Sequence, residues 1–234
     1  MAGTKDRKDA TTGTSAVLFD IDGTLADTNF LHVEAWSRAF WQADLVVPAW
    51  RIQRAIGADS SELLDMLLED EVKEEQRALV KSLHTKNYAE TTARIVPLPG
   101  ARELVATLVG RGVHVVLATS APQNELDVLL DVLDFGGSVH AVTSGADVST
   151  AKPAPDLISI ALDRAGVSVD RAVMVGDATW DVLAAERAGL ATVGVLSGGT
   201  SEHELREAGA VAVYEDAAAV LTGLGEGPLA SLLN

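Results

Sequence analysis

The sequence predicts an α/β protein: a doubly wound, Rossmann-like parallel sheet with a small α-helical domain inserted after its first strand. Three observations lead there. Short apolar runs without polar alternation recur along the chain, as in strands covered on both faces. Amphipathic helical stretches separate those runs. One long interval carries helical patterns only.

The first run is Ala16-Val17-Leu18-Phe19, closed by Asp20. Others span Val113 to Thr119, Ala141 to Thr143, Ala172 to Gly176, Ala191 to Leu196 and Val211 to Tyr214. Helical spacing fills Ala101 to Val109, Asn124 to Leu133, Pro155 to Ala165 and Asp181 to Ala188. Gly110, Gly166, Gly189 and Gly209 follow such stretches and read as helix stops. Ser201-Glu202-His203-Glu204 has the spacing of a capping box and opens a further helix to Ala208.

The interval from Thr28 to Arg94 breaks the alternation. Phe30, Val33, Trp36, Ala39 and Phe40 give one apolar helix face, Leu63, Leu64, Met66, Leu67 and Leu68 a second, and Val80, Leu83 and Tyr88 a third. Residues 28–94 are therefore expected as a helical lid over the carboxyl edge of the sheet, where doubly wound folds bind ligands. Residues 16–27 and 95–234 form the core, re-entered at Pro97-Leu98-Pro99-Gly100. Residues 1–15 are polar and read as a leader without fixed structure.

Composition narrows the chemistry. Among 234 residues, 34 are acidic and 18 are Lys or Arg, a net charge of −16 that disfavours nucleic acid or an anionic membrane as partner. With 47% hydrophobic residues the chain can build a core. It has no cysteine, so thiolate nucleophiles, thiolate metal sites and disulfides are excluded. The first fifteen residues lack the apolar centre of a secretory signal, and no apolar run approaches the roughly twenty residues that span a bilayer. A cytoplasmic protein is expected.

Four features fall at carboxyl ends of predicted strands. Asp20-Ile21-Asp22-Gly23-Thr24 follows the first, its two carboxylates two residues apart and so able to face one way. Thr119-Ser120 ends the second and offers hydroxyls and N–H groups to an anion. Lys152 precedes Pro153, which biases it towards extended backbone. Gly176-Asp177-Ala178-Thr179-Trp180-Asp181 spaces two carboxylates four apart, on one face if a helix starts promptly. Each has a plain structural reading: a turn, a helix cap, a solvated lysine, a capping pair. Together those readings require four coincidences at one sheet edge.

In this order the four motifs resemble the haloacid dehalogenase superfamily of aspartate-nucleophile phosphohydrolases, over about Ala16 to Val220. The helical interval resembles that family's type-1 cap, and the nearest groups in character are phosphoglycolate phosphatases and β-phosphoglucomutases. The resemblance implies a Mg²⁺-dependent phosphatase of a small phosphorylated metabolite, a sugar phosphate or phosphoglycolate, acting through an aspartyl-phosphate. Asp20 is then the nucleophile and Asp22 the acid and base, a role that asks for a pKa above that of an ordinary Asp. Thr119, Ser120 and Lys152 receive the phosphate. Asp20, Asp177 and the Asp22 carbonyl hold the metal, and Asp181 holds the shell in place. His32 resembles the cleft-facing His of sugar-phosphate phosphatases and phosphomutases.

Departures weigh against the mutase alternative. Gly176-Asp177 stands where β-phosphoglucomutases have a Glu-Asp pair, and Asp59-Ser60-Ser61 where they carry a cap-loop arginine. A dehalogenase would lack the Asp22 equivalent. An alternative of another class, a phospho-acceptor without turnover, shares Asp, Mg²⁺, Thr/Ser and Lys but has no use for a lid. Arg51, Arg54, His84 and Lys86 are cap residues within reach of an anionic substrate or on a solvated face. Of Trp36, Trp41 and Trp50, two are expected to pack and one to wall the substrate. His114 and His140 lack metal-ligand spacing. A monomer or homodimer is expected.

Overall fold

The computed structural model describes residues 13–148, 150 and 152–233. Residues 1–12 of the leader lie outside the described residues. Ser15, assigned to the leader, is buried; its carbonyl accepts from His114 N at 2.8 Å and its hydroxyl from Arg171 at 2.8 Å.

The apolar runs become six strands: β1 (Ala16–Phe19), β2 (His114–Ala118), β3 (Ala141–Thr143), β4 (Ala172–Gly176), β5 (Ala191–Val195) and β6 (Ala212–Tyr214). All pairs are parallel, in the order β3-β2-β1-β4-β5-β6. The order reverses direction at β1, so the crevice at the carboxyl ends of β1 and β4 is the topological switch point where such sheets take ligands.

Period-two alternation divides the two faces of the sheet. Val17, Phe19, Val115, Leu117, Val173 and Val175 point to one side, against α5 (Ala101–Gly110), α6 (Gln123–Leu133) and α10 (Ala217–Thr222). Ala16, Leu18, Val116, Ala118 and Met174 point to the other, against α7 (Asp156–Ala165) and α8 (Thr179–Arg187). Phe19 pairs with Leu117 and Val175 and has no solvent exposure, a burial worth about 2–3 kcal/mol. The predicted capping box at Ser201 is present and opens α9 (Glu202–Glu207).

Glycine stops follow the backbone, with one correction. Gly166, Gly189 and Gly209 take positive φ after their helices, but α5 runs through Gly110 and the left-handed residue is Gly112. A Cβ at Gly110 would meet no atom within 4 Å, so nothing there calls for glycine.

Between β1 and α5 lie α1 (Asn29–Gln42), α2 (Ala49–Ala55), α3 (Ser60–Leu67) and α4 (Glu74–Ala89). They bury their own cluster, including Trp36, Phe40, Ile52, Leu63, Leu64 and Val80. The expected apolar faces need two corrections. Phe30 is 57% exposed and lies outside the insert's buried cluster, its ring beside Gly199 of the core. Trp41 and Trp50 are 79% and 66% exposed, so only Trp36 packs. No helix among the described residues is long and apolar enough to cross a membrane.

Candidate active site

The chain leaves β1 still paired: Asp20 N donates to Val175 O at 3.0 Å, so Asp20 is held at the sheet edge beside β4. Ile21 O then accepts from Leu25 N at 2.9 Å and Ala26 N at 3.0 Å, closing a tight turn. Gly23 makes that turn with φ +70°, and a Cβ there would lie 2.6 Å from Asp177 Oδ2. The turn thus places Thr24 and Asn29 against Asp177. Thr24 Oγ1 donates to Asp177 Oδ1 at 2.9 Å and Asn29 Nδ2 to Asp177 Oδ2 at 2.8 Å. Asn29 Nδ2 also reaches Gly198 O at 3.1 Å.

Asp177 follows β4 directly, and α8 starts at Thr179, earlier than the predicted Asp181. Asp181 therefore sits in the first turn, where Oδ2 accepts from Ala178 N at 3.1 Å. Its other oxygen accepts from Lys152 Nζ at 2.7 Å, and the same ammonium donates to Asp20 Oδ1 at 2.7 Å. Lys152 is 1% exposed. Asp20, Asp177 and Asp181, all buried, each present an oxygen within 4.8 Å of the others.

The electrostatics are those of too many carboxylates in too little water. Burial pushes the Asp20 carboxyl well up; Lys152 opposes this, while Asp181, Asp177 and Asp22 add to it. Burial, then Asp181, lifts Asp177 to about 7 against the pull of Thr24 and Asn29. Lys152 loses solvation too, but the Asp181 and Asp20 carboxylates outweigh that and hold its ammonium more firmly charged. Three convergent oxygen donors facing one ammonium fit a hard divalent cation, which takes oxygen ligands and relieves their repulsion.

Asp22 corrects an expectation. Burial does push its carboxyl up, but the His32 hydrogen bond and charge and the Thr28 hydroxyl more than reverse this, so its pKa is lowered, not raised. Thr28 Oγ1 donates to Asp22 Oδ1 at 2.6 Å and His32 Nε2 stands 3.5 Å from it. His32 is built in on its other side as well: it stacks on Tyr88 at 3.8 Å, and Nδ1 lies 3.2 Å from His84 Nε2. Trp36 stacks on His84 at 3.9 Å. Burial, then His32, pulls His84 down to about 2, so that ring is neutral.

A cavity of about 470 Å³ opens over these groups. Asp20, Asp22 and Lys152 line it from below, His32, Trp36 and His84 from the helical insert, and Ser120 from the loop after β2. Thr119 is fully buried; its Oγ1 accepts from Ala121 N at 3.0 Å and it does not line the cavity. Of Arg51, Arg54, His84 and Lys86, the cap residues considered as anion contacts, only His84 reaches the cavity, alongside His32 and Trp36. Arg51 donates to Met66 O, Arg54 pairs with Glu204 on α9, and Lys86 is exposed. Sequence reasoning missed Thr28, Asn29, Gly198, Lys81 and Glu125. Thr24 stood inside the first motif, and Thr28 marked a helix start, but nothing local pointed to Asn29, Gly198 or the two cavity residues.

Comparison with known proteins adds an independent line. Residues 14–189 match a model of the haloacid dehalogenase-like hydrolases. The chain is 30% identical over 202 residues to the phosphorylated carbohydrates phosphatase of Thermotoga maritima, covering 86% of this chain and 94% of that one. It is 29% identical over 219 residues to the phosphoglycolate phosphatase of Rhodospirillum rubrum, covering 90% of each. The crystal structure of a hydrolase from Pseudomonas syringae matches with a TM-score of 0.85 at 35% identity, over 90% of this chain and 97% of that one.

Proposed function

Because the chain belongs to the haloacid dehalogenase-like hydrolases, we propose that it is a Mg²⁺-dependent phosphatase of a small phosphorylated metabolite, working through an aspartyl-phosphate on Asp20. A sugar phosphate or a phosphoglycolate-like ester is the substrate class, in keeping with the names of its relatives. The observation that carries the reading is the Lys152 bridge between Asp20 and Asp181, with Asp177 beside it, on the floor of a cavity at the switch point. Residues 28–94 act as the cap and residues 16–27 and 95–234 as the catalytic core.

Asp20, Asp177 and Asp181 would hold Mg²⁺, which would supply the positive charge that lets a phosphate dianion approach a carboxylate. Asp20 attacks phosphorus with one carboxylate oxygen while Lys152 holds Oδ1 and keeps the side chain aimed. The ester P–O bond breaks as the new one forms, and Asp22 gives its proton to the leaving alkoxide. In the free protein the depressed pKa leaves Asp22 ionised. A bound dianion beside it raises that pKa and favours the proton. In the second step Asp22 takes a proton from the water that attacks the acyl phosphate, and free Asp20 returns. Ser120, on the cavity wall, is the donor offered to the phosphoryl oxygens, while buried Thr119 holds the loop by accepting from Ala121 N.

Hydrolysis is favoured over the mutase alternative by the cavity's charges. Among the described residues no arginine lines it, and its lysines are Lys152 and Lys81, so a second phosphate has a single cation, Lys81, beyond the one at the floor. The test is Asp20→Asn. Phosphate release from a panel of phosphate esters is expected to vanish with the far-UV circular dichroism unchanged, and EDTA is expected to silence the wild type until Mg²⁺ is restored. Continued turnover by Asp20→Asn overturns the covalent mechanism.

A further inference from the structure

The mechanism leaves several ionisable side chains of the cavity without a task, and among the described residues Glu125 is the one of them for which no side-chain hydrogen bond or ion pair is found. Glu125 lies in the first turn of α6 and lines the cavity across from the insert. It is half-buried, it feels the charges of both Asp22 and His32, and burial raises its carboxyl pKa. No side-chain hydrogen bond to it is found among the described residues, although the neighbouring wall is well paired: Asp59 accepts from Ser61 N and Glu62 N, and Lys81 donates to Ser61 Oγ at 2.7 Å. A first-turn glutamate can serve a helix dipole from solvent. This one is instead turned into a partly dehydrated space where it lacks a donor.

That combination has a chemical meaning for what enters. A carboxylate stripped of part of its water gains from a hydroxyl donor and repels a second anion. The Tyr88 hydroxyl, buried and without a partner, sits in the same field of Asp22 and Glu125. Lys81 is the only lysine or arginine besides Lys152 on the described cavity wall, and Ser61 already engages it. The mouth of the site is therefore acidic on balance, with the positive charge collected at the floor.

We propose that Glu125 is a specificity-determining residue: it accepts a hydrogen bond from a hydroxyl of the leaving group and turns away esters whose leaving group carries a second negative charge. The inference rests on the phosphatase reading and divides its substrate class, favouring monophosphates of uncharged polyhydroxylated alcohols over phosphoglycolate. The role concerns recognition only and leaves the bond-making to Asp20 and Asp22.

The experiment compares kcat/KM for glycerol 3-phosphate and a hexose 6-phosphate with that for phosphoglycolate, in the wild type, Glu125→Gln and Glu125→Lys, each checked for folding by circular dichroism. The wild type is expected to favour the better of the two esters with an uncharged leaving group by about tenfold or more, the size a single unshielded charge near the site produces. Glu125→Gln is expected to shrink that ratio and Glu125→Lys to bring it to one or below, mainly by improving KM for phosphoglycolate. A wild type that prefers phosphoglycolate overturns the inference without any variant, as does an unchanged ratio in both substitutions; the phosphatase reading survives either result. Absence of phosphate release from every ester in the wild type overturns both.

Discussion

Asp177→Asn measures the electrostatic strain of the candidate metal centre without reference to substrate. Asp177 is 2% exposed, and its pKa is lifted from an ordinary 3.8 to about 7. Between those values the folded protein binds a proton that the unfolded chain has released. Its contribution is fully present below about pH 4 and is lost as pH rises towards 7. At about 1.4 kcal/mol per pH unit, three units amount to about 4 kcal/mol, an upper bound because the buried Asp20 carboxyl beside it shares the same charge balance. Asparagine keeps the shape of the side chain and cannot ionise. In EDTA, the variant is expected to be close to the wild type or slightly weaker at pH 4.5 and to gain on it steadily, ending up to about 4 kcal/mol ahead at pH 8. The midpoint of thermal unfolding then moves by about 2–4 °C per kcal/mol. The buried neutral His84 contributes in the opposite direction below pH 6.5, but equally in both proteins, so the difference removes it. With Mg²⁺ in excess the order reverses at pH 8, because only the carboxylate gains a ligand. Urea denaturation followed by tryptophan fluorescence, with and without EDTA, reads all of this. An offset between the two proteins that stays constant from pH 4.5 to 8 would falsify the account of the site's charge.

Other outcomes follow from the same packing. Lys152→Met is expected to abolish phosphate release and to cost about 3–5 kcal/mol in the metal-free protein, since two buried carboxylates lose the ammonium that bridges them; urea titration at pH 7.5 checks it. Gly198→Ala drives a methyl group into the Asp177 carboxylate and the Asn29 amide, and is expected to remove both activity and stabilisation by Mg²⁺. Gly110→Ala, with open space around it inside α5, is expected to raise stability by about 0.5–1 kcal/mol and leave activity alone, and equal effects of the two substitutions would contradict the geometry.

Much of the site was legible because chemistry at the carboxyl edge of a parallel sheet is written locally. An apolar run of four or five residues marks a strand buried on both faces, and the residues just beyond it must stand at the edge. Asp20, Asp22, Thr119, Asp177 and Asp181 all carry that label, and Lys152 stands shortly before α7. Less legible was what surrounds them. Asn29 reaches Asp177 and Gly198 across 148 and 169 positions of chain, and no pattern near any of the three announces the contact. The same is true of His32 against His84, which depends on how α1 lies along α4.

The sequence by itself determined the class of fold, the alternation of parallel strands with helices, and the residue types that end each strand. Those are consequences of periodicity and of backbone geometry, which act over a few residues. Only the tertiary structure decided the downward shift of the Asp22 pKa, the exposure of Trp41 and Trp50, the neutrality of His84 and the orientation of Glu125 into the cavity. Each depends on desolvation and on partners from other elements, and such through-space terms are summed over packed neighbours that the chain brings together only when it folds.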